Sequence, residues 1–307
     1  MREDLADSLN RLGEMAAAVL PEDAGMAPAL AEIQAHPVQP GVFARYYDLV
    51  FALQRRDYAQ AAALWCEIAA LAADAPRLEV IPYDPGVLGD DSERFGRLVA
   101  LGDGGGHMFA PPPEPSWRRF RPTALDALDL LARVDPAWSG EIEGLLTRVI
   151  AAIPAEDARQ RFAGASSLMV WGAIFTNVGQ PRDRLQVLTS LIHEGTHQLL
   201  FGLSRREPLV ANPPGERYRS PLRPEPRPMD GVFHATFVAA RLTRLAEVLA
   251  SAEGELTDDE TAWARTRIPR FRQRFGEGRE VILKDAQLTP LGRRLIEEAA
   301  DHVLAAA

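Results

Sequence analysis

Apolar residues recur every three or four positions through most of the first half of the chain, the period of one face of an α-helix. The segments with this pattern are residues 2–19, about 41–56, 58–73, 123–133 and about 138–150. Prolines and glycines interrupt it, most heavily at GDGGGH, residues 102–107, which runs into a proline-rich stretch. Because a phosphate-binding glycine loop should open directly onto a helix, we interpret this one as a flexible loop.

The pattern changes in the second half. Residues 166–178, SSLMVWGAIFTNV, are apolar on both faces, which predicts a buried or half-buried β-strand. Residues 184–203 return to helical spacing, and a loop rich in proline and arginine separates them from another helix at about 231–251. Three helix starts carry N-terminal signals, namely Asp230 as an N-cap, a capping box at Thr257 and Glu260, and the pair Thr289 and Pro290.

These elements predict a mainly α-helical fold with a small β-sheet beside the helix 184–203. The class is α+β, with a local arrangement of strand and helix like that of zincins. We expect a helical N-terminal region at 1–155 and a catalytic region at 156–307, packed together as one unit.

Composition limits the expected binding partners and the expected cell compartment. The 307 residues carry a net charge of -9 and no block of basic residues, so nucleic acid and anionic membranes are not expected partners. The single cysteine, Cys66, lies on an apolar helical run and is predicted to be a core residue. Without disulfides, signal peptide or membrane-spanning run, the protein is predicted to be cytoplasmic.

The sequence His193-Glu194-Gly195-Thr196-His197 within the helix 184–203 is a candidate metal site. Residues four apart lie on one face of a helix, about 6 Å apart at the side-chain base. Two imidazoles at that spacing can converge on one cation at roughly 2.0–2.1 Å. His193 and His197 are therefore predicted metal ligands.

The third ligand is left open. A metzincin would have glycine and histidine at positions 200 and 203, but both are leucine, so that class is excluded. His234, near the start of the helix 231–251, is the preferred candidate, and Glu225 in the loop and Glu194 are the alternatives. Glu216 and Glu247, which could serve a gluzincin, are poorly placed.

Two chemistries fit this motif. With zinc, Glu194 would act as the general base that activates water for attack on a carbonyl, as in a metallopeptidase. With Fe(II), the open positions would accept O2 and a chelating 2-oxo acid. The distal carboxylate of 2-oxoglutarate then needs a cationic partner, usually an arginine. The loop offers Arg219, Arg223 and Arg227.

A family resemblance supports the second chemistry. The run HEGTHQLLFGL, the loop PLRPEPRP and the helix start GVFH resemble the HExxH-domain proteins associated with ribosomally made, modified peptides. That family is regarded as Fe(II)- and 2-oxoglutarate-dependent peptide β-hydroxylases, and the likeness covers roughly residues 160–250. The resemblance implies iron at His193 and His197, 2-oxoglutarate at Arg223 and Arg227, and a precursor peptide as substrate.

The sequence therefore favours an oxygenase that hydroxylates the β-carbon of a residue in a ribosomal precursor peptide. A zinc metallopeptidase and a non-catalytic peptide-binding module are the alternatives. The strand 166–178 could also bind an extended peptide along its edge, unless it is an interior strand.

Overall fold

The structure is a computed structural model that describes the chain apart from residues 23, 73–75, 102–107, 157, 159–161, 221–224, 306 and 307. The described part is mainly helical with a small mixed β-sheet, which confirms the predicted balance of elements. The zincin-like arrangement and the boundary after residue 155 stay predictions. The glycine loop 102–107 lies outside the described residues.

The chain divides into two compact units. The first contains Met1–Leu125 and Glu141–Arg182, and the second contains Asp126–Gly140 and Asp183–Ala307. Helices α7, Glu114–Val134, and α8, Pro136–Leu145, contribute residues to both units. None of the described helices is both long and apolar enough to cross a lipid bilayer.

The first unit combines helices with all the described strands. Its other helices are α1 Arg2–Met15, α2 Met26–Ala35, α3 Pro40–Gln54, α4 Tyr58–Leu71, α5 Pro85–Leu88 and α6 Asp91–Ala100. The strands are β1 Glu79–Pro82, β2 Phe109–Ala110, β3 Arg148–Pro154, β4 Gly164–Ser166 and β5 Ala173–Asn177. The order is β1-β3-β5-β4, with β3 parallel to β1 and β5, β4 antiparallel to β5, and β2 antiparallel to the end of β3.

Strand β3 corrects the predicted helix at about 138–150. The helix ends at Leu145, and Arg148–Pro154 forms the central strand, in which Val149 and Ile150 are fully buried. A parallel strand buried on both faces is a continuous apolar run, and periodicity alone cannot distinguish it from a buried helix. Pairing with β1 and β5 on its two sides makes this segment a strand rather than a helix.

The predicted strand at 166–178 is also corrected. It divides into the end of β4, a short 3-10 helix at Leu168–Val170, and β5. Gly172, between the last two, adopts a φ of 88°, a left-handed conformation that favours glycine. Because β5 pairs with β3 on one side and β4 on the other, it is an interior strand, the alternative that excludes peptide binding along the edge of β5.

Cys66 is exposed, so its predicted place in the core is wrong. Helix α4 buries Ala61, Leu64, Trp65 and Ile68, and Cys66 lies on another face of that helix. The helix is apolar almost all round, so the sequence did not reveal which face would be covered.

The second unit is built from helices that pack around one apolar core. They are α9 Arg184–Leu203, α10 Met229–Ser251, α11 Asp258–Asp285 and α12 Pro290–Ala305, together with the parts of α7 and α8 given above. Leu200, Phe233, Phe275 and Ile296, one from each of these four helices, are at most 1% exposed. Helices α9 and α10, which carry the three candidate ligand histidines, both pack into this core.

Local capping signals explain where these helices begin. Asp183 forms a capping box with Gln186 at the start of α9, and Thr257 forms the predicted one with Glu260 at the start of α11. Thr289 accepts a hydrogen bond from the backbone N–H of Gly292 at 3.1 Å, as predicted for α12. The prediction for Asp230 is wrong, because Pro228 is the N-cap and Asp230 lies in the first turn of α10.

Gly278 allows α10 and α11 to approach closely. A Cβ atom at this position would lie 2.1 Å from Thr236 Oγ1 and 3.0 Å from Thr236 Cβ. Thr236 is fully buried and its hydroxyl donates to Val232 O at 2.7 Å, so this side chain has no room to move. Thr236 is two residues from His234, so this close approach of the two helices occurs beside the candidate site.

We expect Gly278→Ala to lower the free energy of unfolding by about 1–3 kcal/mol, because the overpacking strain outweighs the better helix propensity of alanine. Urea denaturation followed by circular dichroism measures the change. Gly276→Ala is the matched control on the same helix, because no described atom lies within 4 Å of a Cβ there. Equal effects of the two substitutions would contradict a special role for Gly278.

Candidate metal centre

His193 and His197 converge on one face of α9. Their Nε2 atoms lie 3.3 Å apart, and the His193 side chain is 42% exposed towards a cavity. Two nitrogens at this separation, each about 2.0–2.1 Å from one cation, subtend an angle of roughly 105° at it. That angle lies between the right angle of an octahedral site and the tetrahedral angle, so the pair fits a shared metal ion of either geometry.

The rest of α9 explains why these two rings face the cavity. Leu188, Leu191 and Ile192 are fully buried on the packing side of the helix. Because this apolar side of α9 packs in the core, His193 and His197 lie together on the side of the helix that lines the cavity.

Glu194 is the carboxylate closest to the pair along the motif. Its side chain is 7% exposed, and its Oε1 lies 3.9 Å from His193 Nε2. The carboxylate is therefore on the same side of His193 as the nitrogen that faces His197. This position places a carboxylate beside the pair.

His234 lies against the opposite nitrogen of His197. The Nδ1 atoms of the two rings are 3.2 Å apart, whereas His197 turns its Nε2 towards His193. The two nitrogens of one imidazole point in divergent directions, so in this conformation His234 Nδ1 is not directed at a cation shared by His193 and His197. It is placed to orient the His197 ring by a hydrogen bond.

The protonation of His234 supports such a role. Burial lowers the pKa of His234, an effect opposed by the nearby carboxylate of Asp230. The ring is then neutral at pH 7, with one nitrogen free to accept a hydrogen bond from His197 Nδ1–H. The other nitrogen, Nε2, lies 3.8 Å from Asp230 Oδ1. Asp230 therefore lies next to His234, and His234 lies next to His197, the nearer member of the histidine pair.

A cavity of about 360 Å³ opens beside the three histidines. Helix α10 contributes an apolar wall that includes Ala235, Val238 and Leu242. Arg227 also lines the cavity, and its backbone is held by paired hydrogen bonds with Tyr218, N to O at 2.9 Å and O to N at 2.8 Å. The volume lies in the range of small-molecule sites.

The structure distinguishes the candidate arginines by whether they line the cavity. Arg227 is half-buried at the cavity, whereas Arg219 is exposed and is not among the residues that line it. Arg223 lies outside the described residues.

The other candidate carboxylates do not reach the histidines. Glu225 is exposed and does not line the cavity, and Glu216 accepts a hydrogen bond from Tyr218. Glu247 is paired with Arg272 at 2.7 Å and His302 at 3.2 Å.

Sequence reasoning missed several residues of the cavity, among them Phe201, Phe271 and Arg274. Phe201 follows His197 by one helical turn, with ring centroids 5.5 Å from His234 and 6.4 Å from His197. The spacing of four residues from His197 could have indicated that Phe201 lies on the same face of α9. Phe271 and Arg274 come from α11, and nothing near them in the sequence indicates that α11 packs along α10.

Among the described residues, no group of three or more His, Cys, Asp or Glu side chains is arranged to hold a metal ion. The arrangement offers one converging pair of nitrogens, with Glu194 and His234 adjacent to it.

No model of a known protein family matches the sequence, and no curated protein matches it either. The function is therefore inferred from the residues of the site and their geometry.

Proposed function

We propose that the protein is an Fe(II)- and 2-oxoglutarate-dependent oxygenase that hydroxylates a C–H bond, at the β-carbon of a residue in a ribosomally made peptide. The observation that carries the proposal is the 3.3 Å separation of His193 Nε2 and His197 Nε2 in an open cavity that Arg227 also lines. The resemblance of the motif and loop to the HExxH peptide hydroxylases agrees with it.

In this proposal His193 and His197 would hold the metal, and Glu194, whose Oε1 lies 3.9 Å from His193 Nε2, would act next to it. His234 Nδ1, 3.2 Å from His197 Nδ1, would accept the Nδ1–H of His197 and so would orient that ring with its Nε2 available to the metal. When bound, iron supplies the activation of O2 needed to attack an unreactive C–H bond.

Arg227 would bind the distal carboxylate of 2-oxoglutarate. Its planar guanidinium can donate two parallel hydrogen bonds to a carboxylate, which fixes the orientation of the co-substrate. The apolar wall from Ala235 to Leu242 would exclude water from part of the cavity. We propose a cytoplasmic setting, where Fe(II) and 2-oxoglutarate are both available.

The test is an anaerobic reconstitution of the purified protein with Fe(II), followed by addition of 2-oxoglutarate, O2 and candidate peptides. We expect succinate release and a peptide mass increased by one oxygen atom, measured by mass spectrometry. If the zinc-loaded protein instead cleaves the peptide without 2-oxoglutarate, the hydroxylase is rejected in favour of a peptidase with Glu194 as its base.

A further inference from the structure

Three arginines form a row along one side of α11. Arg267, Arg270 and Arg274 follow Trp263 at intervals of four, three and four residues, which places all four side chains on one face of the helix. The guanidinium of Arg267 lies 4.8 Å from the centroid of the Trp263 ring. We refer to Arg267, Arg270 and Arg274 as the arginine row.

The arginine row has no carboxylate partners within the described part of the chain, where none of its members forms an ion pair. Other arginines of the second unit are paired: Arg272 with Glu247 at 2.7 Å, and Arg184 with Glu260 at 2.7 Å. In a chain with a net charge of -9, three adjacent unneutralised guanidinium groups form a local positive field.

The arginine row leads to the histidine cavity. Helices α10 and α11 are antiparallel, because Gly278 meets Thr236 and Arg272 meets Glu247. His234 is therefore near the level of Gly278, and Arg274 lines the same cavity as His234. Arg270 and Arg267 precede Gly278 by eight and eleven residues, which places them about 12 and 16 Å along the helix.

An apolar surface accompanies this charge. Val238 and Leu242 of α10 and Phe271 of α11 line the cavity next to Arg274. An apolar floor beside a cationic rim suits a peptide, which can place apolar side chains on the floor and acidic side chains at the rim. Nucleic acid fits less well, because the overall negative charge would repel its backbone.

We propose that the arginine row binds an acidic segment of the peptide substrate, next to the residue that enters the histidine cavity. The inference rests on the proposed function in taking a peptide as the substrate. At about 3.3–3.6 Å per extended residue, Arg270 and Arg267 would meet acidic side chains roughly three to five residues from the modified one. The arginine row would thus select the site of modification by charge and spacing.

The test measures binding without turnover. The probe is a fluorescein-labelled Gly-Ser peptide with a run of glutamates at one end, and the comparison peptide has glutamine in place of glutamate. We expect the double variant Arg267→Glu, Arg270→Glu to weaken binding of the glutamate peptide about tenfold in fluorescence anisotropy. Added NaCl should weaken wild-type binding and leave the glutamine peptide unaffected.

Arg265→Glu is the matched control, since Arg265 is exposed on the same helix but points away from the arginine row. Equal losses in the control, or equal affinities for the two peptides, would overturn the proposal. So would an oligonucleotide that competes as well as the glutamate peptide. Succinate release is assayed separately, so selective peptide binding without any turnover would reject the hydroxylase and retain the arginine row as a docking surface for acidic peptides.

Discussion

The His197→Ala protein is expected to lose stably bound Fe(II) and, with it, all succinate release. The substitution removes one of two nitrogens that lie 3.3 Å apart, and a single remaining imidazole cannot chelate the ion. It also removes the ring that His234 contacts at 3.2 Å. Iron is measured by mass spectrometry after gel filtration, and succinate by chromatography.

The variant series distinguishes ligands from a positioning residue. His193→Ala should behave like His197→Ala, because each supplies one nitrogen of the pair. His234→Ala should weaken iron affinity by about 10–100-fold but still bind at excess Fe(II), as expected of a group that orients a ligand. If His234→Ala abolishes binding as completely as the other two, His234 is itself a ligand, the candidate preferred from the sequence over Glu225 and Glu194.

His36→Ala serves as the control for loss of an imidazole. His36 follows α2 in the first unit and its side chain is 55% exposed. This variant should keep full iron content and turnover. Wild-type iron content in His193→Ala or His197→Ala, with a normal circular dichroism spectrum, would reject the proposed metal centre.

The Arg227→Ala protein is expected to need about 10–100-fold more 2-oxoglutarate for half-maximal turnover. A charge-assisted hydrogen bond to a carboxylate contributes about 1.5–3 kcal/mol, which corresponds to that range. Because the contact would be made in both the ground state and the transition state, kcat at saturation should change little. Arg227→Lys should recover only part of the affinity, since an ammonium lacks the two-pronged geometry.

The control for this experiment lies in the same loop. Arg217 is exposed, and its guanidinium donates to the backbone carbonyls of Pro214 and Glu216 rather than facing the cavity. Arg217→Ala should leave the requirement for 2-oxoglutarate unchanged. A larger effect from Arg274→Ala than from Arg227→Ala would transfer the carboxylate-binding role to Arg274, which lines the same cavity.

Some features of the site were predictable because they depend on short stretches of chain. The helical period places His193 and His197 on one face of α9 in any fold that keeps that helix. The capping box at Thr257 was likewise correct, since it involves residues three apart. Asp230 shows where local signals fail. An aspartate can cap a helix, but α10 begins at Met229, so Asp230 lies inside the helix and Pro228 is the N-cap.

Other features depended on partners distant in sequence. The apolar spacing predicts a helix as far as about residue 150, into the start of β3, because the burial of β3 between β1 and β5 hides the strand period. Arg274 reaches the cavity only because α11 runs back along α10, and that contact relies on the absence of a side chain at Gly278. Neither result can be obtained from periodicity within a single segment.

The sequence by itself determined the mainly helical class, the helix that carries the histidine pair, and the placement of both imidazoles on one face of that helix. These follow from residue type and from a period of 3.6 residues, both of which act over one or two turns. Only the tertiary structure decided that His234 faces the far nitrogen of His197, that Arg227 and Arg274 share their cavity, and that β5 is an interior strand. The physical reason is that ring orientation, burial and strand pairing are set by packing between segments far apart in the chain.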